Sequence, residues 1–290
     1  FKGMNNLVQF FIPNTVSSLG ERVFMNCSKL ERVVFETGNQ RLTTINESTF
    51  ENDIKLSKIV ENNDMDVSNI TENTLPSCVT TINDYAFFNC KELTNFTLKN
   101  SVTSIGCGIF GGATNLGELT IPFIGKSRSA TTNDVTTFGY IFGDRHEEVS
   151  EGNRIYEANQ NTITYYIPTS LHKVTISDDS KIRAYGFANI VSLNEVILPE
   201  NGYNSSNANV SFSSIDAYAF YNVNQIIGIT LPSTTQIIGE HAFDSTSSLE
   251  SISFPASMTS IGDYAFMNAT SLSSVGYEGN NVTTINEGTY

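Results

Sequence analysis

The chain has 290 residues, 16 Lys and Arg against 30 Asp and Glu, and a formal charge of −14. That balance disfavours nucleic acid and anionic membrane as partners, since both require clustered cationic side chains. No apolar run reaches the ~20 residues of a membrane span, so no transmembrane segment is predicted, and the polar exterior comes mainly from Asn, Ser and Thr.

Along the chain, Phe1, Phe24, Phe87 and Phe110 are followed six residues later by Leu7, Leu30, Leu93 and Leu116. Phe187, Phe220, Phe243 and Phe266 are followed by Leu193, Ile226, Leu249 and Leu272 in the same way. Several steps, such as Phe1 to Phe24 and Phe243 to Phe266, are 23 residues long. A fixed period of this length marks a solenoid, whose units are too small to close a core and must stack on their neighbours.

Counted from each Phe, positions +6, +9 and +11 are apolar, as in Leu30, Val33, Phe35 and Leu249, Ile252, Phe254. The spacing of two between the last pair is strand alternation. Five residues before the Phe stands another apolar residue, such as Ile82, Ile215 or Ile261. The stretch between, for example Ile261-Gly262-Asp263-Tyr264-Ala265-Phe266, reads as a turn leading into a short helical or 3₁₀ piece. Drifted units fit the frame through Phe50 with Leu56 and Ile59, and Tyr165 with Leu171, Val174 and Ile176. The predicted fold is therefore an α/β repeat solenoid, strand-dominated, with one curved parallel sheet of about ten strands and short helical or 3₁₀ segments. Residues 1–290 read as a single solenoid, a piece of something longer, because Phe1 and Tyr290 both fall inside a unit.

Extra residues enter after strands: 3 between Phe24 and Phe50, 14 before Phe87, 32 between Phe110 and Tyr165, and 10 before Phe220. Their shared place predicts that they emerge along one edge, where repeat proteins often build a binding rim. Residues 123–164 read as a folded insertion, because Phe138, Tyr140, Phe142 and Tyr156 need burial. Phe138, Tyr140 and Tyr156 are its candidate binding residues.

Cys27 and Cys90 share position +3, elsewhere held by small apolar residues, and stand two coils apart. At ~4.8 Å per strand they are too distant for a disulfide. With no CxxC pair, no zinc or redox site is predicted. Asp64 and Asp66 lack the Gly and distal Glu of a calcium loop, so no metal or other cofactor is assigned. His146, His172 and His241 fall at unrelated positions, and Asp144-Arg145-His146-Glu147-Glu148 reads as a solvated charged loop. No catalytic residue is nominated, and the chain is not read as an enzyme. On the concave face, positions +8 and +10 supply the candidate binding residues Arg32, Lys58, Asn95, Thr97, Glu118, Thr120, Glu195, Thr230, Ser251 and Ser253.

Segments such as Leu75-Pro76-Ser77-Cys78-Val79-Thr80-Thr81-Ile82-Asn83-Asp84-Tyr85-Ala86-Phe87 and Phe254-Pro255-Ala256-Ser257-Met258-Thr259-Ser260-Ile261 resemble the BspA-type leucine-rich repeat. The resemblance covers most of the chain and implies a right-handed leucine-rich-repeat superhelix. It further implies a bacterial, sometimes protist, surface protein of the kind that adheres to host or matrix proteins; the expected partner of this secreted or cell-surface chain is a protein or glycan ligand. The family's ligand chemistry is diverse, so it assigns no binding residue. The leading functional reading is a non-enzymatic, adhesion-type, macromolecule-binding module; the alternative is a structural spacer or stalk presenting another domain.

Overall fold

A computed structural model describes residues 1–131, 133–145, 154–158, 161–203, 208–279 and 284–285, with backbone alone at 133–134, 154–158, 161–163, 203 and 284–285. The chain forms two compact units. The first is built from the described residues of Phe1–Ile121, Tyr140–Asn153 and Tyr165–Leu171, the second from those of Pro122–Gly139, Arg154–Thr164 and His172–Tyr290.

In the first unit, strands Gln9–Ile12, Arg32–Phe35 and Lys58–Glu61 form a parallel sheet in which Gln9, Arg32 and Lys58 share one rung line and Phe11, Val34 and Val60 another. Asn95–Thr97 pairs in parallel with Glu118–Ile121. A second parallel ladder, unforeseen as a sheet, joins the short strands Thr44–Ile45, Thr81–Ile82 and Ser104–Ile105, which carry the inward Ile five residues before the Phe. The second unit repeats both ladders. Lys173–Ile176 pairs with Glu195–Ile197 and Ser251–Phe254 with Ser274–Tyr277. The inner strands Lys181–Ile182, Ser214–Ile215, Ile237–Ile238, Ser260–Ile261 and Thr284–Ile285 line up in one parallel series. The described coils thus carry two ladders rather than one sheet.

Between the ladders runs the aromatic spine. Rings of Phe1, Phe24, Phe50, Phe87 and Phe110 stack in order at 5.4 to 5.7 Å between centroids. In the second unit Phe187, Phe220, Phe243 and Phe266 do so at 5.1 to 5.3 Å. All but Phe1 are buried. Each buried ring contributes ~1.5–3 kcal/mol of transfer free energy, with a further ~0.5–1.5 kcal/mol for each ring pair.

The predicted helical piece around each Phe is absent among the described coils. Residues −2 and +2 from the Phe adopt left-handed φ, as at Tyr85 and Asn89, Tyr218 and Asn222, Tyr264 and Asn268. Alternate amides then point along the stack. Tyr85, Phe87 and Asn89 donate to Cys107, Ile109 and Gly111 of the next coil, while Phe88 and Cys90 donate back three residues to Tyr85 and Phe87. A helix would keep those amides within its own turn; here they tie coil to coil. Asn suits position +2 because its short amide tolerates left-handed φ. It also builds a ladder, with Asn89 Nδ2 donating to Asn52 Oδ1 at 2.9 Å and Asn52 Nδ2 to Asn26 Oδ1 at 3.0 Å. In the coil of Phe110 glycines serve instead: at Gly108 a Cβ would come within 2.7 Å of the Tyr85 ring.

The only helical segments among the described residues, Asn133–Thr136 and the 3₁₀ turn Phe138–Ile141, lie in the insertion. In the first unit Phe110 donates its amide to Ile141, the relation Phe87 has to Ile109. Phe142 therefore takes the next spine position, which the sequence reading gave to Tyr165; Tyr165 is buried elsewhere in that unit. In the second unit Phe138 donates to Gly186, and its ring lies 5.1 Å from that of Phe187.

Candidate functional site

The outward-facing strand positions of the two units differ sharply. In the first, Val34 and Val60 at +10 are 0% and 1% exposed. They are covered by residues 62–73, which contribute Val67, Met65 and Ile70 to a small apolar cluster that also takes in Phe11. The 14-residue insertion is thus not confined to an edge, as its position in sequence suggested, but folds over the sheet. Three candidate binding residues hold it there. Arg32 Nη1 donates to the Met65 carbonyl at 3.4 Å, Lys58 Nζ to that of Ile70 at 2.7 Å, and Asn95 Nδ2 to that of Thr71 at 3.1 Å.

The loop ends in a further strand rung. Thr74 donates to Ile59, bridges Thr97 in parallel, and gives its hydroxyl to the Thr97 carbonyl at 3.0 Å. Asn73, fully buried, stitches the two sides: its Oδ1 accepts from Ile59 N, and its Nδ2 donates to the carbonyls of Ser57 and Asn95. Arg32, Lys58, Asn95 and Thr97 therefore serve the chain's own fold. Glu118 is exposed and Thr120 half-buried.

In the second unit Glu195, Thr230, Ser251 and Ser253 are all exposed. They line two adjoining hollows of about 450 and 360 Å³, which share Glu200, Gly228 and Thr230. The floor is hydroxyls and bare backbone, for a Cβ at Gly228 would meet nothing within 4 Å. Glu200 and Glu278 stand at the rim beyond the strand ends. Neither entered the sequence-based set, since both lie past the alternating positions that nominate a strand face. Glu200 is held in place by Ser233, whose amide donates at 3.0 Å and hydroxyl at 2.7 Å. Glu195 pairs with Lys173 at 3.2 Å.

The insertion candidates fare differently. Phe138 is 0% and Tyr140 8% exposed, so they pack in the core and offer no face to a partner; the Tyr156 side chain lies outside the described residues. Arg145, expected in a solvated loop, lies 4.9 and 4.8 Å over the rings of Tyr85 and Phe88 and 2.9 Å from Glu51. His146, Glu147 and Glu148 are outside the described residues.

Other chemically conspicuous groups are structural in their surroundings. The cleft beside Arg128 and Arg183 answers its cations with carboxylates, Arg128 to Asp178 at 2.6 Å, Arg183 to Asp179 at 3.1 Å and Lys181 to Asp216 at 2.8 Å. Burial nonetheless pushes Asp178 and Asp179 above the usual carboxylate range. Tyr185, Tyr218, His241 and Tyr264 stack face to face at 4.7 to 5.1 Å, so their faces meet one another rather than a ligand. Cys27, Cys78, Cys90 and Cys107 are free. Burial raises their thiols, that of Cys107 to about 11 and that of Cys90 well above its ordinary value, which leaves them poor nucleophiles.

Between Cys27 and Cys90, at the same position +3, stands Asp53, fully buried. Its Oδ1 accepts the Cys27 amide at 2.7 Å, while its Oδ2 has no partner among the described residues. Burial pushes its pKa to about 9, so at neutral pH it is a protonated acid. Among the described residues no group of three or more His, Cys, Asp or Glu is arranged to hold a metal, and no helix is long and apolar enough to cross a membrane.

Stacked parallel ladders around a Phe and Leu spine define a leucine-rich-repeat solenoid. A family model for the BspA type leucine-rich repeat region matches residues 1–67, 60–133 and 161–290. The chain belongs to that family. No curated protein matches it. Among solved structures it is similar to a leucine-rich repeat protein from Bacteroides ovatus ATCC 8483, at 22% identity over 99% of this chain and 76% of that one, with a TM-score of 0.34. A leucine-rich cell surface protein from Faecalibacterium prausnitzii A2-165 matches at 19% identity over 97% and 83% of the two chains, TM-score 0.28. The pneumococcal vaccine antigen PcpA matches at 17% identity over 97% and 72%, TM-score 0.33.

Proposed function

We propose that the chain is a non-enzymatic, adhesion-type module of a secreted or cell-surface protein. It holds a host or matrix protein or glycan on the outward strand face of its second unit, through Glu195, Thr230, Ser251 and Ser253. The observation that carries this reading is the contrast in one register: positions covered by the chain's own loop in the first unit are exposed and grooved in the second. Glu118 and Thr120, on the strand face of the first unit, have a lesser part. Family membership supports the location.

The test is binding of the chain to arrayed matrix proteins and glycans, wild type against a variant with Thr230, Ser251 and Ser253 all changed to Asn. Saturable binding lost in the variant supports the reading; binding indifferent to those changes removes that face from it. A second reading, a spacer presenting another domain, is favoured by the regular spine and the small side chains at +8 and +10. A spacer tolerates every exchange on the strand face and responds only to the number of coils.

A further inference from the structure

We propose that the groove of the second unit takes an extended, cationic peptide segment that carries Lys or Arg side chains. This rests on the reading of that face as the partner-binding surface and assigns the partner's chemistry. Three observations converge. First, the residues lining the two hollows include Glu195, paired with Lys173, together with Glu200 and Glu278, and no Lys, Arg or His. In the first unit Arg32 and Lys58 hold the carbonyls of a covering loop, whereas this stretch of the second unit presents carboxylates to an open groove. Second, Glu200 is oriented before any partner arrives, because Ser233 donates both its amide and its hydroxyl to the carboxylate. A carboxylate fixed this way pays less entropy on pairing with a cation than a free surface Glu does.

Third, the groove is open to a chain laid across the strands. Glu200 follows the strand Glu195–Ile197 and Glu278 follows Ser274–Tyr277, three coils further on, and the Glu200 carboxylate reaches one coil toward Glu278, onto Ser233. An extended peptide returns to the same side every second residue, so alternate side chains face the carboxylates while its backbone runs along the groove. Between them Gly228 removes the side chain that would block the path, and the hydroxyls of Thr230, Ser251 and Ser253 present donors and acceptors to a backbone. Ile197, 41% exposed, gives one apolar contact for the stem of a Lys or Arg, which covers apolar surface while its head stays polar.

The experiment is fluorescence anisotropy of a labelled synthetic peptide with Lys at alternate positions in a Ser and Thr background, beside versions carrying Gln or Glu in place of Lys. The protein is the 290-residue chain, wild type, Glu200→Gln/Glu278→Gln, and Gly228→Trp. The last change has open space at its Cβ, and the carboxylates are exposed, so unchanged melting curves check folding. The Lys peptide should bind saturably and weaken with salt, and each variant should lose about tenfold or more in affinity. Equal binding of the three peptides, or no saturable binding of the Lys peptide, overturns the inference. If the Gln peptide binds as well, and Gly228→Trp abolishes binding while the Glu variant does not, the cationic partner is wrong but the face remains. Failure of the face itself is read separately, from the matrix-protein and glycan arrays.

Discussion

Each unit has its own spine of stacked Phe rings, and the units diverge on the surface that the spine leaves free. In the first, Phe11, Val34 and Val60 at +10 are apolar and lie against Met65, Val67 and Ile70; in the second, Ile197, Thr230 and Ser253 at the same position are exposed. The +8 rows differ as well, with Arg32 and Lys58 binding loop carbonyls against Glu195, Gly228 and Ser251 lining a groove. Strand alternation explains why this divergence is tolerated. Positions +9 and +11 point into the spine and are constrained by packing, whereas +8 and +10 point away and answer only to what covers them. A solenoid can therefore change one unit's face without disturbing the stack.

The largest expected effect tests what the units share. Phe50→Ala in the first and Phe243→Ala in the second should each cost ~3–5 kcal/mol, read by urea denaturation, with amide protection lost first in adjacent coils. A cost in one unit alone would break the likeness of the two spines.

The second separates the spines chemically, since Asp53 stands where the coil of Phe220 has Val223. The folded pKa of about 9 lies above the ordinary 3.8, so the folded state holds a proton that the unfolded chain releases. The stability contributed by that proton is complete below about 3.8, declines as pH rises, and is gone above about 9. Asp53→Val should stabilise the protein by ~2–3 kcal/mol at pH 7 and flatten that decline; a variant with the wild-type pH profile would contradict the burial of this acid.

The third sets the same register against itself. Val60→Ser should cost ~1–2 kcal/mol because it puts a hydroxyl under the loop, whereas Ser253→Val should change stability by under ~0.5 kcal/mol. The smallest is Glu195→Gln, which breaks the partly exposed pair with Lys173 and should cost under ~0.5 kcal/mol, detectable in a double-mutant cycle with Lys173→Gln.

Much of this was legible in the residues. The steps from Phe to +6, +9 and +11 place the spine and the strand register correctly, because packing around a stacked ring leaves those positions little chemical freedom. The turn half was misread as helical, since Tyr and Asn do not advertise left-handed φ as Gly does. The recurrence of Asn at +2, in Asn26, Asn89, Asn189, Asn222 and Asn268, was the available sign. The covering loop was announced by Val34 and Val60, apolar where a solvated strand face needs polar residues, and by Met65, Val67 and Ile70 within an otherwise polar insertion. Glu200 and Glu278 left no such trace, because their role comes from stacking distant coils rather than from any local pattern. Phe138 and Tyr140 were rightly read as needing burial, and that burial removes them from any binding surface.

The contrast between a covered and an open face is tested most directly by thiol labelling of Val60→Cys and Ser253→Cys, with the wild-type thiols as background. The two positions occupy the same place in their coils. Ser253→Cys should react at close to the rate of an unstructured thiol, and Val60→Cys at least about a hundredfold more slowly, through opening of the loop. Equal rates at the two sites would contradict it.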